Sequence, residues 1–559
     1  MAHFLRMPEP ARPAAVDNAN IARHLALMAA AQPAVPALKI PRGRTRTGDI
    51  NYLTLTFAEL DAEVAGWTAR LARAGVRCGD RTLVMVRQGL PLLASVFALF
   101  RLGAVPIVID PGMGRENFLA CVRRSQPRAL VGIFFARLLS RIHRAAFRSV
   151  EVRVAASGSL TGRVGPASAA EEPPMAFNAP GDLAAILFTS GSTGSPKGVC
   201  YEHGMFDAQV RLIRETYGIQ PGEVDLPLLP IFALFGPALG MTTIIPEIDP
   251  RRPAALDPAK IVQAIRQENV TNSFGSPTLW RKIGDHCVQN KIALPSLRRV
   301  LCAGAAVPAS LWEDSRAFLP RGKLHSPYGA TEALPIASVS STEIDSESVS
   351  GACVGWTVPE IEIKIITITD GPIVGIVDVR DHRPGEIGEI VVRGPVVTKT
   401  YDLLPDATKL AKIRGASGIW HRMGDCGYFD ADGRLWFCGR KAERVETAAG
   451  TLHTEPCEQV FRRHPRAARC ALIGLGERGT QAPAMVIEAV IKDETEGHAL
   501  ARELRALALA HAHTAVIATF FFREKFPVDA RHNAKIHRLT LAQWATTLEA
   551  RAFAPDPKH

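Results

Sequence analysis

Residues 189–197, within the stretch ILFTSGSTGSPKGV, are almost all small or hydroxylated and close on a single lysine. The apolar residues 186–188 ahead of them are strand-like and would carry the loop from a buried sheet to its surface. Glycines at 191, 194 and 198 let consecutive backbone N–H groups turn inward. With the hydroxyls of Thr189, Ser190, Ser192 and Thr193 and the ammonium of Lys197, the stretch suits a polyphosphate. It is not a Walker loop, because GSTGSPKG lacks the GxxxxGK(S/T) spacing and Pro196 stands where a helix would have to start. Taken alone, a low-complexity solvent loop is the second reading.

Four further segments carry chemistry-bearing residues. SPYGATE at 326–332 offers a flat ring in Tyr328, a hydroxyl in Thr331 and a hard oxygen ligand in Glu332. GEIGEIVVRG occupies 385–394, and WHRMGDCGYFDADGRLWFCGR, at 420–440, contains Asp425 and ends on Arg440. FPVDARHNAKIHR, at 526–538, contains Lys535. Each has an ordinary explanation in isolation: a turn with an exposed acid, a surface ion pair, an isolated lysine.

In this order and spacing the five segments resemble the signature series of the adenylate-forming superfamily, which includes acyl-CoA synthetases, firefly luciferase and the adenylation domains of peptide synthetases. The resemblance covers nearly the whole chain. It implies that a carboxylate attacks the α-phosphate of ATP and expels pyrophosphate, with Mg²⁺ as the usual counter-charge. Carried over residue by residue, it implies that Thr189, Ser190, Gly191, Ser192, Thr193, Gly194 and Lys197 hold the β- and γ-phosphates. Gly304, Ala305 and Ala306, in CAGAAVP, would line the adenine, Tyr328 would offer it a flat ring, and Gly329 and Ala330 would belong to the same ATP site. Thr331 would meet the α-phosphate, Glu332 and Thr189 would ligate Mg²⁺, and Asp425 would accept the ribose hydroxyls. Arg440 would lie at the boundary between a large and a small domain. Lys535 would reach the α-phosphate only when the small domain closes, stabilising the transition state more than the ground state. The catalytic set implied is Lys535, Thr331, Glu332 and Arg440.

Departures from the superfamily pattern bear on the second half of the reaction. Met423 stands in MGD where TGD is usual, Asn533 and Ala534 precede Lys535, and Ala233 sits in PIFALFG where many acyl-CoA synthetases carry an aromatic or histidine. Ala442 replaces the usual hinge residue, and Ala448 and Ala449 replace the turn that borders a pantetheine tunnel. These changes weaken a thioester-forming second step. Segments 107–122, 200–210 and 227–254 look like those of the β-lactone synthetases of bacterial long-chain olefin biosynthesis. That likeness implies a 2-alkyl-3-hydroxyalkanoic acid substrate whose own 3-hydroxyl attacks the acyl-AMP. It also implies assembly with a ketone reductase and an α/β-hydrolase-fold decarboxylase. His203, Phe232, Ala233 and Gly236 are the residues expected at the acyl pocket. A long-chain fatty acyl-CoA or acyl-carrier-protein ligase is the second reading. A degenerate nucleotide-binding scaffold is the third, opposed by retention of the signature residues.

Those residues must be positioned by a large framework. A chain of 559 residues exceeds one ordinary core, and with 47% apolar and 22% charged residues it is globular in composition. Formal charge is +11, but the basic residues are scattered rather than gathered into a stripe, so no nucleic-acid partner is expected. Ten cysteines without a CxxC pair read as reduced core residues. No apolar core of signal-peptide length opens the chain, and a cytoplasmic setting is expected. The apolar residues 90–110 are broken by Arg101 and Gly103 and read as a buried helix feeding a strand, with no transmembrane segment. A capping box at Thr56 and Glu59 starts an earlier helix, residues 81–86 and 129–135 read as strands, and strand and helix alternate as in a mostly parallel sheet. From about residue 360, runs alternating polar and apolar residues indicate antiparallel strands. The fold class expected is a large N-terminal α/β region with mostly parallel sheets plus a smaller, mobile α+β C-terminal domain. The boundaries expected are 1–438 and 439–559, with rotation about residues 440–442.

Overall fold

The computed structural model describes residues 18–166, 172–189, 196–249, 252–344, 350–467, 469–528 and 536–555. The first alternation of helix and strand forms as the sequence requires. The Thr56 hydroxyl accepts from the Glu59 backbone N–H while the Glu59 carboxylate accepts from that of Thr56, closing the capping box of helix Phe57–Arg73. Phe57, Leu60, Val64, Trp67 and Leu71 are buried on that helix, which packs against helix Leu90–Arg101. The latter is buried along nearly its whole length, and Arg101 is tolerated inside because its guanidinium meets both Asp61 and Glu172. Strand Val105–Ile109 follows directly. Among the described residues no helix is long and apolar enough to cross a membrane.

A six-stranded sheet runs Val152–Ala155, Ala129–Gly132, Arg81–Met85, Val105–Ile109, Leu183–Thr189, Lys197–Glu202. Its first five strands are parallel and the sixth is antiparallel. The strand expected over 129–135 stops at Gly132, and Phe134 and Phe135 instead begin helix Phe134–Ile142. Two adjacent phenylalanines extend the β-type composition past the point where backbone pairing ends, so propensity misplaces the boundary. The second sheet has fourteen strands. Strands Val224–Asp225, Thr242–Ile244, Asn272–Gly275, Arg299–Cys302 and Lys323–Ala330 lie parallel within it. From Lys323–Ala330 onward every pairing is antiparallel, including Glu362–Ile366 with Gly388–Arg393, where the alternating sequence requires it.

The two sheets are tied by residues 397–402. Val397 bridges to Ala333 at the start of one large-sheet strand, and Tyr401 bridges to Val199 in the last strand of the six-stranded sheet. Cys200 N–H donates to Thr400 O at 3.3 Å and Asp402 N–H to Gly198 O at 2.7 Å. The buried Asp402 carboxylate takes both terminal nitrogens of Arg81, at 2.8 and 3.3 Å.

A smaller separate domain follows. Its four-stranded sheet runs Cys470–Leu475, Ala482–Glu488, Thr519–Arg523, Ala552–Phe553, covered by helices Thr454–Arg462 and Glu494–Leu509 on the side of one apolar cluster and by Arg538–Ala545 at another. Strand Leu435–Arg440 still pairs in the large sheet, so the division expected at 438 falls inside a paired strand.

Burial makes His203, His325, His421 and His453 acid-sensitive. His203, His325 and His453 are each pushed down to about 4, chiefly by loss of solvent. Neutral in the folded state, they protonate in the unfolded chain near 6.5, so the unfolded state binds more protons between about 6.5 and 4. Their stabilisation is full above that window and is lost as pH falls through it, up to about 3 kcal/mol for each. The thermal unfolding midpoint is expected to drop steeply from pH 6.5 to 4.5, less so in His203→Gln. A midpoint flat across that range would contradict the burial of these rings.

Candidate active site

Strands Lys323–Ala330 and Ala333–Ser340 are joined by Thr331 and Glu332 alone, with Ala330 paired to Ala333. This tight reversal explains Gly329: a Cβ there would sit 2.6 Å from the carbonyl oxygen of Ala333. The hairpin tip is held from outside. Thr398 donates its N–H to Glu332 O at 2.9 Å and its hydroxyl at 3.1 Å, and the Tyr201 hydroxyl donates to Thr331 O. The Tyr401 hydroxyl donates to Glu332 Oε1 at 2.7 Å. Burial and the Glu332 charge raise both tyrosine hydroxyls far above neutral pH, so they remain donors.

Two lysines lie at the ring of the tyrosine that holds that carboxylate. Lys197 Nζ lies 4.9 Å from the centre of the Tyr401 ring and Lys412 Nζ 5.9 Å. Lys412 also donates to the carbonyl and, at 3.0 Å, the hydroxyl of Thr398. Burial pulls Lys412 down to about 7, with the charge of Glu332 working in the opposite direction. The result is one oriented carboxylate with a half-buried and a buried lysine at the ring of the tyrosine that orients it, an arrangement suited to a phosphate chain and its counter-ion.

A second carboxylate lies across the large sheet. Asp425, in strand Gly418–Phe429, pairs with Arg440 of the neighbouring strand. Its Oδ1 accepts from Arg440 Nη1 at 2.5 Å and its Oδ2 from the Tyr328 hydroxyl at 2.6 Å. Asp425 first, against the opposing effect of burial, holds Arg440 protonated. Among the described residues the buried Arg440 Nε has no partner. Gly304, Ala305 and Ala306 follow strand Arg299–Cys302 after Ala303, and Tyr328 to Ala330 end the parallel neighbour Lys323–Ala330, so both segments lie at the same end of these strands. Met423 fills apolar space with Ile336, Ala337, Val354 and Leu435.

Ser190, Gly191, Ser192, Thr193, Gly194 and Lys535 lie outside the described residues, and Thr189 is described only by its strand position opposite Lys197. Their flanks are fixed. Arg124 Nη1 donates to Pro196 O at 2.8 Å. Val528 bridges to Ile536, and Arg538 grips Glu458 through two bonds of 2.7 Å and Glu443 through one of 3.0 Å. Glu443 belongs to the turn between the domains, so Arg538 links the neighbourhood of Lys535 to that connection.

The residues expected at the acyl pocket divide. Phe232 stacks on Phe274 with ring centres 3.6 Å apart and on Phe235 at 6.3 Å. Ala233 is buried in the main core, and Gly236 backs so closely on Thr243 that a Cβ would meet its hydroxyl at 1.9 Å. His203 is a correction. It is fully buried, its Nδ1 accepts from the Ile21 N–H at 3.2 Å, and its ring meets Phe100 edge-on, so it is a core histidine. Tyr201, Thr398, Tyr401 and Lys412 were not singled out from the sequence. Lys412 lies in KLAKIRG, and cross-strand pairing with His421 takes it inside.

Residues 29–402 match the profile of the AMP-binding enzyme family. The chain belongs to that family. This AMP-binding enzyme is 44% identical to an olefin beta-lactone synthetase of Xanthomonas campestris pv. campestris, over 94% of this chain and 97% of the relative. It is 43% identical to one of Stenotrophomonas maltophilia, over 95% and 99%. Among solved structures it is similar to the amide bond synthetase McbA of Marinactinospora thermotolerans, with a TM-score of 0.75, 23% identity and coverage of 94% of this chain and 99% of that one. The o-succinylbenzoate coenzyme A synthetase of Bacillus subtilis, solved with ATP and magnesium ion, gives 0.74, 23%, 93% and 98%. The AMP-binding enzyme is therefore an adenylate-forming, ATP-dependent, AMP-forming ligase with the two-part fold of its relatives.

Tyr401→Phe removes the only hydrogen bond found on the Glu332 carboxylate among the described residues. A hydrogen bond to a charged group contributes about 1.5–3 kcal/mol, equivalent to roughly 10–100-fold in rate. ATP–pyrophosphate exchange is expected to fall by that factor with the thermal midpoint little changed. Unaltered exchange would mean that Tyr401 does not orient the carboxylate.

Proposed function

We propose that this enzyme converts a 2-alkyl-3-hydroxyalkanoic acid into its acyl-AMP and then into a β-lactone, releasing pyrophosphate and AMP, in long-chain olefin biosynthesis. The observation that carries this reading is the 44% identity to an olefin beta-lactone synthetase, spread over 94% of this chain and 97% of the relative. In the first step a carboxylate oxygen bonds to the α-phosphorus and the bond to pyrophosphate breaks. Lys197 and residues 189–194 hold the departing phosphates, Thr331 and Lys535 meet the α-phosphate, and Asp425 takes the ribose hydroxyls beside Tyr328 and Arg440. Gly304, Ala305 and Ala306 line the adenine. Arg440 fixes Asp425 and so acts through it.

Glu332 fits Mg²⁺, which binds through one or two carboxylates plus substrate phosphates. One of its oxygens is held by Tyr401 and the other remains for the ion. No cluster of three or more His, Cys, Asp or Glu suited to a metal occurs among the described residues, consistent with ligands drawn from phosphate, water and Thr189. Bound Mg²⁺ would neutralise charge accumulating on the phosphates.

In the second step the substrate's 3-hydroxyl oxygen bonds to the acyl carbon as the bond from that carbon to the AMP oxygen breaks. The hydroxyl proton is lost and AMP leaves with the negative charge. An internal nucleophile gains its rate from proximity and requires no thiol acceptor. The large part, through strand Leu435–Arg440, carries out adenylation and the residues after it form the lid, turning about residues 440–442. Arg538 keeps the Lys535 segment attached to the lid's core and to Glu443 as it turns. We place the enzyme in the cytoplasm, where a ketone reductase and an α/β-hydrolase-fold decarboxylase would supply its substrate and consume its product.

Incubation with ATP, Mg²⁺ and a synthetic 2-alkyl-3-hydroxy acid, with and without CoA, followed by NMR of the organic product, tests the reaction. A four-membered lactone with AMP and no need for CoA is expected. A CoA-dependent thioester without lactone would leave a long-chain acyl-CoA ligase instead. Lys535→Ala is expected to lower acyl-AMP formation by about 10²–10³-fold, the usual loss on removing one preorganised charge-stabilising group. Lactone formation from supplied acyl-AMP should be far less affected, and equal losses in both steps would refute the division of labour.

A further inference from the structure

Helix Phe134–Ile142 has its apolar side turned away from the protein. Ala136 and Ser140, one turn apart, are the buried residues. Ser140 is anchored by donating to Arg137 O at 2.7 Å and accepting from Arg153 Nε at 3.1 Å. Phe134 is 63% exposed, Phe135 73%, Leu138 40% and Ile142 65%. At about 100° of rotation per residue, these four cover roughly 100° of arc, opposite the side marked by Ala136 and Ser140. Phe134 and Phe135 meet edge-on, ring centres 5.7 Å apart. A helix packed on a sheet normally shows the reverse pattern, and a contiguous exposed apolar face marks an interaction site.

The charge beside this face has one sign. Residues 134–148 contain Arg137, Arg141, Arg144, Arg148 and His143 and no acidic residue. Arg141, Arg144 and Arg148 are exposed. The strand ahead of the helix, Ala129–Gly132, lies parallel to Leu183–Thr189 in one sheet. Phe134 and Phe135 therefore begin at the same sheet edge on which Thr189 ends.

We propose that this face docks on a bilayer containing anionic phospholipid. Phe134, Phe135, Leu138 and Ile142 enter the boundary between headgroups and acyl chains, and Arg141, Arg144 and Arg148 meet the lipid phosphates. Charge decides against a second copy of this chain, because a two-fold contact would set the same arginines against each other. The formal charge of +11 supports the same attraction at longer range. The inference stands independently of the lactone reading, since vesicle binding is measured without substrate.

The test is co-sedimentation of the full chain with vesicles of phosphatidylglycerol and phosphatidylcholine in equal parts, or of phosphatidylcholine alone. The protein is expected to pellet with the mixed vesicles and to remain in solution with the neutral ones. Phe134→Ser/Phe135→Ser/Ile142→Ser should weaken binding by about tenfold or more, and Arg141→Gln/Arg144→Gln by about fivefold for each charge removed. The thermal midpoint should hold in both variants, because the altered side chains are exposed. No pelleting by the unaltered protein, or equal pelleting of all three proteins, would overturn the proposal. So would light scattering in which the serine variant alone changes a dimer into a monomer, which would assign the face to a second copy.

Discussion

The bond from Tyr401 to Glu332 is the contact on which the site depends, because its two ends belong to separately built parts of the chain. Glu332 sits at the tip of a hairpin in the fourteen-stranded sheet, and Tyr401 lies in a segment pinned to the last strand of the six-stranded sheet. A carboxylate at such a tip would otherwise be free to turn. Four hydrogen bonds accepted by residues 331 and 332 remove that freedom, and two lysines lie at the Tyr401 ring. Orientation is thus set before any ligand arrives, which is the condition under which fixed charges are most effective in stabilising a developing one.

A comparable economy governs the connection to the small domain. Glu389, fully buried, takes Arg422 through two bonds and Lys441 through two more, so the first residue after the last paired strand is anchored in the large domain. Two residues further on, Glu443 is held from the other side by Arg538. Between those anchors lies Ala442, a side chain too small to make either kind of contact. Buried ion pairs of this sort contribute little net stability when compared with apolar packing, but breaking one leaves an uncompensated charge, which makes them effective position markers.

What could be read from the sequence follows from how local each signal is. The capping box at Thr56, the helix and strand at 90–109, and the alternating strands around 362–393 are written within a few residues of one another, and the structure forms all of them. The mostly parallel six-stranded sheet also follows from the order of elements, and the separate small domain from the resemblance to the superfamily. The failures are non-local. Lys412 looks like any surface lysine until its strand is paired, Tyr401 until two sheets are brought together, and His203 like a pocket residue until Ile21 and Phe100 close around it. The strand assigned through Phe135 failed for a different reason, since apolar aromatic residues imply burial and this pair is exposed.

The joining of the sheets also constrains how the chain is made. Strand Lys197–Glu202 is the outer strand of its sheet, and its free edge is covered by residues 400–402, with Arg81 meeting Asp402 across 321 positions of sequence. A ribosome that has not passed residue 402 therefore carries a sheet with an open edge, the kind that pairs with other chains. Synthesis at about 5–20 residues per second leaves that edge uncovered for roughly ten seconds or more, so the nascent chain spends that interval dependent on whatever chaperones shield it.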